Sequence, residues 1–328
     1  MDILEYLDAY DIYNALYNLN YRLNLVINDV RVSKRVHLFS NVDESQFNFM
    51  CNEILPQIQD RILSLVIAHN SRIHTLTVIF NSLERFTSLR KLTLIDIETK
   101  IDLKNILAKQ QQLSSIDIST YKIDNEMLIS DICGMIICEK LPRLKECSLS
   151  FRNNCIFKNV TTSYIKYLTI GWCSMTELIV LLHHTPTLKT LNIRYLHDYD
   201  FSTLDDTNLV VKILNVFLYC VPFNNIELLL KHMSKLKSVT IKGHLDDYNY
   251  TDGQQWQTLL TSFLPLLEIF SVNINVATSI SSTGDLLASF QTEFWQFQWH
   301  LEVECRYKRH LILILNGKRN VSQQEAPD

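Results

Sequence analysis

Apolar residues along this chain fall into a short recurring pattern, aliphatic-x-x-aliphatic-x-aliphatic, the spacing of a short strand whose apolar side chains turn to one side. The pattern occurs at Ile62, Leu65 and Ile67; at Leu89, Leu92 and Leu94; at Leu113, Ile116 and Ile118; and at Leu144, Cys147 and Leu149. It continues at Ile165, Leu168 and Ile170; at Leu188, Leu191 and Ile193; at Val211, Leu214 and Val216; at Leu236, Val239 and Ile241; and at Leu267, Phe270 and Val272. These nine hexads begin 21 to 31 residues apart. Three more features keep their register. The fifth position is small and polar in eight of the nine, as Thr93, Asp117, Ser148, Thr169, Asn192, Asn215, Thr240 and Ser271. The second is basic six times, as Arg90, Lys145, Lys166, Lys189, Lys212 and Lys237. Pro142, Pro186 and Pro265 each stand two residues before a hexad, where proline ends a preceding helix.

Between hexads the apolar spacing becomes helical, as at Leu178, Leu181 and Leu182 or at Trp256, Leu259 and Leu260. Each unit therefore reads as strand, turn, helix, turn. Stacked units predict an α/β solenoid of parallel strands about 4.8 Å apart with an outer helical layer. The alternative is a doubly wound α/β domain, which needs no such regular spacing.

Composition narrows the function. With 47% hydrophobic residues, 328 residues suffice for a large core. The six glycines never pair within a short loop, which excludes P-loop, Rossmann and kinase phosphate cradles. A net charge of −4 gives no footprint for nucleic acid or anionic lipid. Eight cysteines form no C-x-x-C pair, so no zinc site and no cofactor is expected, and the thiols read as small core hydrophobes. Met1–Leu7 carries Asp2 and Glu5 with no basic start, unlike a signal peptide, and no apolar run approaches the ~18 residues of a membrane span. The expectation is a cytoplasmic or nuclear protein with no membrane partner.

The repeat resembles the leucine-rich repeat, whose pattern places Asn or Cys three residues after the hexad. Asn70, Cys173 and Asn275 follow it, whereas Tyr121, Arg152, Leu196, Tyr219 and His244 depart from it. Ahead of the repeats, Ile3, Leu4, Leu7, Ile12, Leu16, Leu19, Leu23 and Ile27 recur at helical steps with a break near Asp8. This predicts two short amphipathic helices, with Asp8 capping the second and Asp11 in its first turn. A plain reading makes them a cap for the first repeat. The run Ile3-Leu4-Glu5-Tyr6-Leu7-Asp8, then Asp11-Ile12 and Leu19-Asn20-Tyr21-Arg22-Leu23, also resembles the middle and end of an F-box. The whole chain is similar to the F-box / leucine-rich-repeat substrate-receptor family, in particular the uncharacterised F-box proteins of bdelloid rotifers. The family's opening leucine-proline-x-glutamate turn would precede Met1.

That resemblance implies a substrate-recognition subunit of a cullin-based, SCF-type ubiquitin ligase. Ile3, Leu4, Leu7, Ile12 and Leu16 would enter the groove of a Skp-type adaptor, and the repeats would hold a protein substrate. A repeat scaffold without a ligase role is the alternative. In a solenoid the third, fifth and seventh positions of each hexad register face the concave side, a polar surface with scattered aromatics that suits a protein partner. The candidate anchors are Tyr167, Trp172, Arg194, Tyr195 and Phe217, from three consecutive repeats; Trp172 also fits a rim or convex position. An enzyme fits poorly, since His183 and His184 have no motif partners beyond Thr176 and Glu177 on the same helix. The expected organisation is F-box-like helices over 1–32, a linker and capping helix over 33–61, repeats over 62–290, an aromatic and β-rich cap over 291–317, and a disordered tail over 318–328.

Overall fold

The computed structural model describes residues 9–17, 19–27, 34–38, 44–68, 83–96, 107, 109–121, 123, 125–137, 141–158, 160–197, 209–276, 288–307 and 311–320. The chain divides into two compact units, Met1–Ile165 and Lys166–Asp328.

In the first unit, hexads become strands. Strands β1 (Lys34–Leu38), β2 (Ile62–Ala68), β3 (Lys91–Ile95), β4 (Ser115–Thr120) and β5 (Glu146–Asn154) each pair in parallel with the next. The register aligns equivalent hexad positions, Leu65 with Leu92, Ile116 and Cys147, so one apolar row packs on the next. Helices α1 (Ala9–Leu16) and α2 (Tyr21–Ile27) precede β1. Asn20 starts α2 by accepting the Leu23 N–H at 2.9 Å. Between β1 and β2, α3 (Glu44–Phe49), a π-helical turn (Met50–Ile54) and α4 (Leu55–Ile58) bury Met50, Ile54 and Ile58. The segment read as linker and capping helix therefore also holds a strand, β1, whose KRVHL carries no hexad. Helix α5 (Glu126–Ile136), capped by Asn125 side-chain oxygen on the N–H groups of Met127 and Leu128, lies between β4 and β5.

The second unit repeats the scheme. Strands β6 (Tyr167–Ser174), β7 (Thr190–His197), β8 (Ile213–Tyr219), β9 (Ser238–Leu245) and β10 (Ile269–Val276) pair in parallel in chain order. Helices α6 (Met175–His184), α7 (Phe223–Lys231) and α8 (Gly253–Phe263) connect β6 to β7, β8 to β9 and β9 to β10. Their apolar faces, for example Leu178, Leu181 and Leu182 of α6, are buried. The C-terminal segment makes β11 (Glu302–Tyr307) and β12 (Leu311–Lys318); β12 runs antiparallel beside β10, and β11 pairs with β12. Trp295 and Trp299 pack on Phe270 at centroid distances of 6.1 Å, closing that end of the core.

All three apolar positions of all nine hexads are buried, none exposing more than 4% of its surface. This is a mixed α/β fold with mostly parallel strands and helices around them. Within each unit the parallel strands follow chain order, without the reversal of order that defines a doubly wound sheet. The consensus asparagine positions build no ladder: Cys173 Sγ meets the Ser174 carbonyl, Asn275 Oδ1 is buried without a hydrogen-bond partner, and Asn70 lies outside the described residues. Lys318 ends β12, and the Arg319 and Asn320 N–H groups donate to the Glu268 and Gln298 carbonyls, so 318–320 belong to the fold; the rest of the expected tail, 321–328, lies outside the described residues. No described helix is long and apolar enough to cross a membrane.

Candidate docking face

The candidate face lies wholly within the second unit, on the side of β6 to β9 opposite the buried hexad residues. Strand alternation alone would send Gly171 outward and Trp172 into the core. The structure does the reverse. Ile170 and Gly171 are both buried in succession, and Trp172 then emerges, half-buried, on the open side. In β7 the matching break leaves Arg194 and Tyr195 exposed in succession before Leu196 turns in. Trp172 therefore pairs with Tyr195. Strand β8 alternates without a break, so the β7–β8 register slips: Ile193 pairs with Val216 but Leu196 with Leu218. The extra residue is a β-bulge, which re-aims side chains at an edge or a site.

The result is a continuous run of rings. Trp172 stacks on Tyr195 with centroids 4.4 Å apart and planes 15° apart. Tyr195 meets Phe217 at 5.3 Å, and Phe217 meets His244 of β9 at 5.5 Å, both edge-on. Tyr219 also sits edge-on to Trp172 at 6.3 Å, and His197 lies at the same distance. Each ring spans roughly one interstrand spacing of 4.8 Å, so successive strands hand the ladder on. Offset and edge-on pairs are each worth about 0.5–1.5 kcal/mol beyond area burial. The rings are therefore ordered before a ligand arrives.

Of the sequence-predicted anchors, Trp172, Tyr195 and Phe217 touch directly, and exposed Arg194 stands in the bulge beside them. Tyr167, 46% exposed, occupies the same open side but lies at the start of β6, away from the ring cluster. His197, Tyr219 and His244 complete the cluster and were not anticipated. In the leucine-rich pattern Tyr219 and His244 are departures; strand alternation carried past the hexad places both on the open side.

A polar row runs beside the rings at the fifth hexad position. Asn215 Nδ2 donates to Asn192 Oδ1 at 2.7 Å, and Asn192 Nδ2 donates to Thr169 Oγ1 at 3.2 Å. Farther along, Ser271 Oγ donates to Asn316 Oδ1 of β12 at 2.8 Å. At the opposite end of the strands, Lys166, Lys189, Lys212 and Lys237 stack through their backbones. The Lys189 N–H donates to the Lys166 carbonyl, Lys212 N–H to Lys189, and Lys237 N–H to Lys212, each at 2.8 Å.

In the first unit, Ile12 is only 2% exposed and belongs to the core, so it is not presented to an adaptor; Leu16 is half-buried. Ile3, Leu4 and Leu7 lie outside the described residues. Exposed apolar surface instead comes from Leu19, Tyr21 and Leu25, of which Tyr21 and Leu25 stand one turn apart on α2. His183 and His184 occupy the last turn of α6, where imidazoles suit the helix dipole, and His184 Nδ1 lies 2.8 Å from the Val180 carbonyl. Among the described residues no group of three or more His, Cys, Asp or Glu side chains could hold a metal ion. No known family model matches the chain, and a search of curated proteins finds no match either.

Proposed function

We propose that this chain is a protein-recognition subunit that presents a partner protein on the open strand face of its second unit. The observation that carries this reading is the ordered run of half-buried Trp172, exposed Tyr195, half-buried Phe217 and exposed His244, next to a hydrogen-bonded polar row. Aromatic anchors in a polar surround are the composition of protein-binding hot spots. Replacing Trp172, Tyr195 and Phe217 together by Ala should reduce captured protein at least tenfold while the unfolding transition holds; undiminished capture would overturn the reading.

The finer reading is that the repeats form an irregular leucine-rich-repeat solenoid, and that the N-terminal helices tether it to a Skp-type adaptor of a cullin-based ubiquitin ligase in the cytoplasm or nucleus. Chain-order parallel pairing supports the first part, and the F-box-like sequence supports the second. The docking positions are Leu19, Tyr21 and Leu25, because Ile12 already fills the core beneath. Ubiquitin transfer would then be performed by other subunits, this chain holding the target in place. Co-purification of the full chain with a recombinant Skp-type adaptor should succeed and be lost on Leu25→Asp. Failure of the parent chain to bind leaves a repeat scaffold with no ligase connection.

A further inference from the structure

The charges on the second unit are sorted by element. Strands β6 to β10, which read YLTIGWCS, TLNIRYLH, ILNVFLY, SVTIKGHL and IFSVNINV, contain no Asp or Glu at all. They do contain Arg194, Lys242, His197 and His244, and each of these four lies within or beside the ring cluster; Lys242 pairs in register with Phe217. Described acids of the unit have other places. Asp247 and Asp252 cap helices, Glu227 pairs with Lys231 at 3.0 Å, and Glu302 and Glu304 lie on β11, two strands beyond β10. Asp246 is exposed just past the end of β9.

The lysine stack sharpens this. Like charges on neighbouring strands repel, yet four lysines stand in succession at the second hexad position. The sheet neutralises one end of the row itself: Lys237 Nζ meets Glu268 Oε1 at 2.7 Å. Lys166, Lys189 and Lys212 have no ion pair among the described residues. A carboxylate at that height already satisfies the row once. Lys166 precedes Trp172 by six residues, about 20 Å of strand, the reach of roughly six extended peptide residues.

We infer that the partner segment held by this face is an acidic peptide of about six to eight residues, with carboxylates along the lysine row and an aromatic or aliphatic residue on the rings. This rests on the protein-recognition reading above and names the chemistry of the segment recognised. The rings make a peptide fit better than a uniform polyanion, since they supply apolar surface that carboxylates cannot use.

The test uses the full chain and a fluorescein-labelled octapeptide, Glu-Glu-Glu-Ser-Gly-Ser-Phe-Leu, in fluorescence anisotropy, with an unlabelled copy for tryptophan emission. Trp172 is half-buried while Trp256, Trp295 and Trp299 are buried, so the emission change reports this face. Binding should weaken at least tenfold when the three Glu become Gln, at least tenfold in the Lys166→Ser, Lys189→Ser, Lys212→Ser chain, and steadily with added salt. The emission of Trp172 should change on saturation and cease to respond in Trp172→Phe. No binding up to millimolar peptide, equal affinity for the Gln peptide, or indifference to the lysine substitutions overturns the inference. Tighter binding of an equally charged oligothymidylate also overturns it and reassigns the row to nucleic acid. If the peptide fails while alanine at Trp172, Tyr195 and Phe217 still abolishes protein capture, only the acidic chemistry falls; if capture is also unchanged, the recognition reading falls with it.

Discussion

Helix α7 begins after Pro222, which has no side-chain group to accept an orphan N–H. Its first N–H, on fully buried Phe223, is satisfied instead by a residue 24 positions later: Asp247 Oδ2 accepts it at 2.7 Å, while Oδ1 accepts the Asn249 N–H at 3.0 Å. One repeat thus caps the helix of the repeat before it. Asp247→Ala removes a cap worth about 1–2 kcal/mol and a second bond, leaving the N–H of buried Phe223 without its acceptor. We expect a loss of roughly 2–3 kcal/mol, one cap plus a net contribution of about 1 kcal/mol for the second, part-buried bond. At roughly 2–4 °C per kcal/mol for a unit of this size, the Tm falls by about 4–12 °C. Asp247→Asn, which keeps an acceptor of the same shape, should lose about half as much, roughly 1–1.5 kcal/mol. All four tryptophans belong to the second unit, so urea unfolding followed by tryptophan emission reads its transition. The neighbouring exposed Asp246→Ala serves as control. A loss at Asp247→Ala under about 0.5 kcal/mol, or one no larger than the control, refutes the cross-repeat cap.

Three further outcomes are expected. Gly243 faces Leu218 across the β8–β9 ladder, and a Cβ there would sit 2.3 Å from the Leu218 carbonyl oxygen; Gly243→Ala should destabilise by roughly 1–3 kcal/mol or more in the same urea assay. Burial pushes the Tyr13 hydroxyl up to about 12 and raises that of Tyr250, whose OH donates to the Val221 carbonyl at 3.1 Å. Because the folded values exceed the unfolded value near 10, the contribution of each tyrosine to stability should be level below pH ~10. It should then fall by up to about 1.4 kcal/mol per unit per tyrosine as pH rises through the folded values, the second unit's share vanishing in Tyr250→Phe. Burial likewise pushes the Cys51 thiol up to about 12 and raises Cys133 and Cys147. At pH 8 a thiol reagent should label these three only after denaturant is added, as read by mass spectrometry of their peptides.

The hexads made the strands legible because burial imposes the strand period on every apolar position, from Ile62 to Val272. The C-terminal pair of strands was legible for the same reason. Strand β1 was not, since KRVHL offers too short an alternation to stand out from a linker. The docking face was half legible. Arg194 and Phe217 follow from register, but the emergence of Trp172 and Tyr195 depends on the breaks at Gly171 and Arg194, which no local periodicity encodes. Ile12 was misplaced because an amphipathic stripe states only that a helix buries one face; whether its own unit or a partner covers that face is decided by packing.

The row of amides on the open face has a head and a tail. Asn215 donates to Asn192 and Asn192 donates to Thr169, so both hydrogen bonds point the same way across the strands. Turning over the Asn192 amide alone would set its Nδ2 against the Asn215 Nδ2, donor against donor, whereas the Thr169 hydroxyl can serve either role. The Asn192 and Asn215 amides therefore turn only together, like two letters cast on one piece of type. A segment lying across the row meets the Thr169 hydroxyl at one end and the Asn215 amide oxygen at the other. With the amides in this setting the row has two different ends, a sense of direction that the rings do not supply.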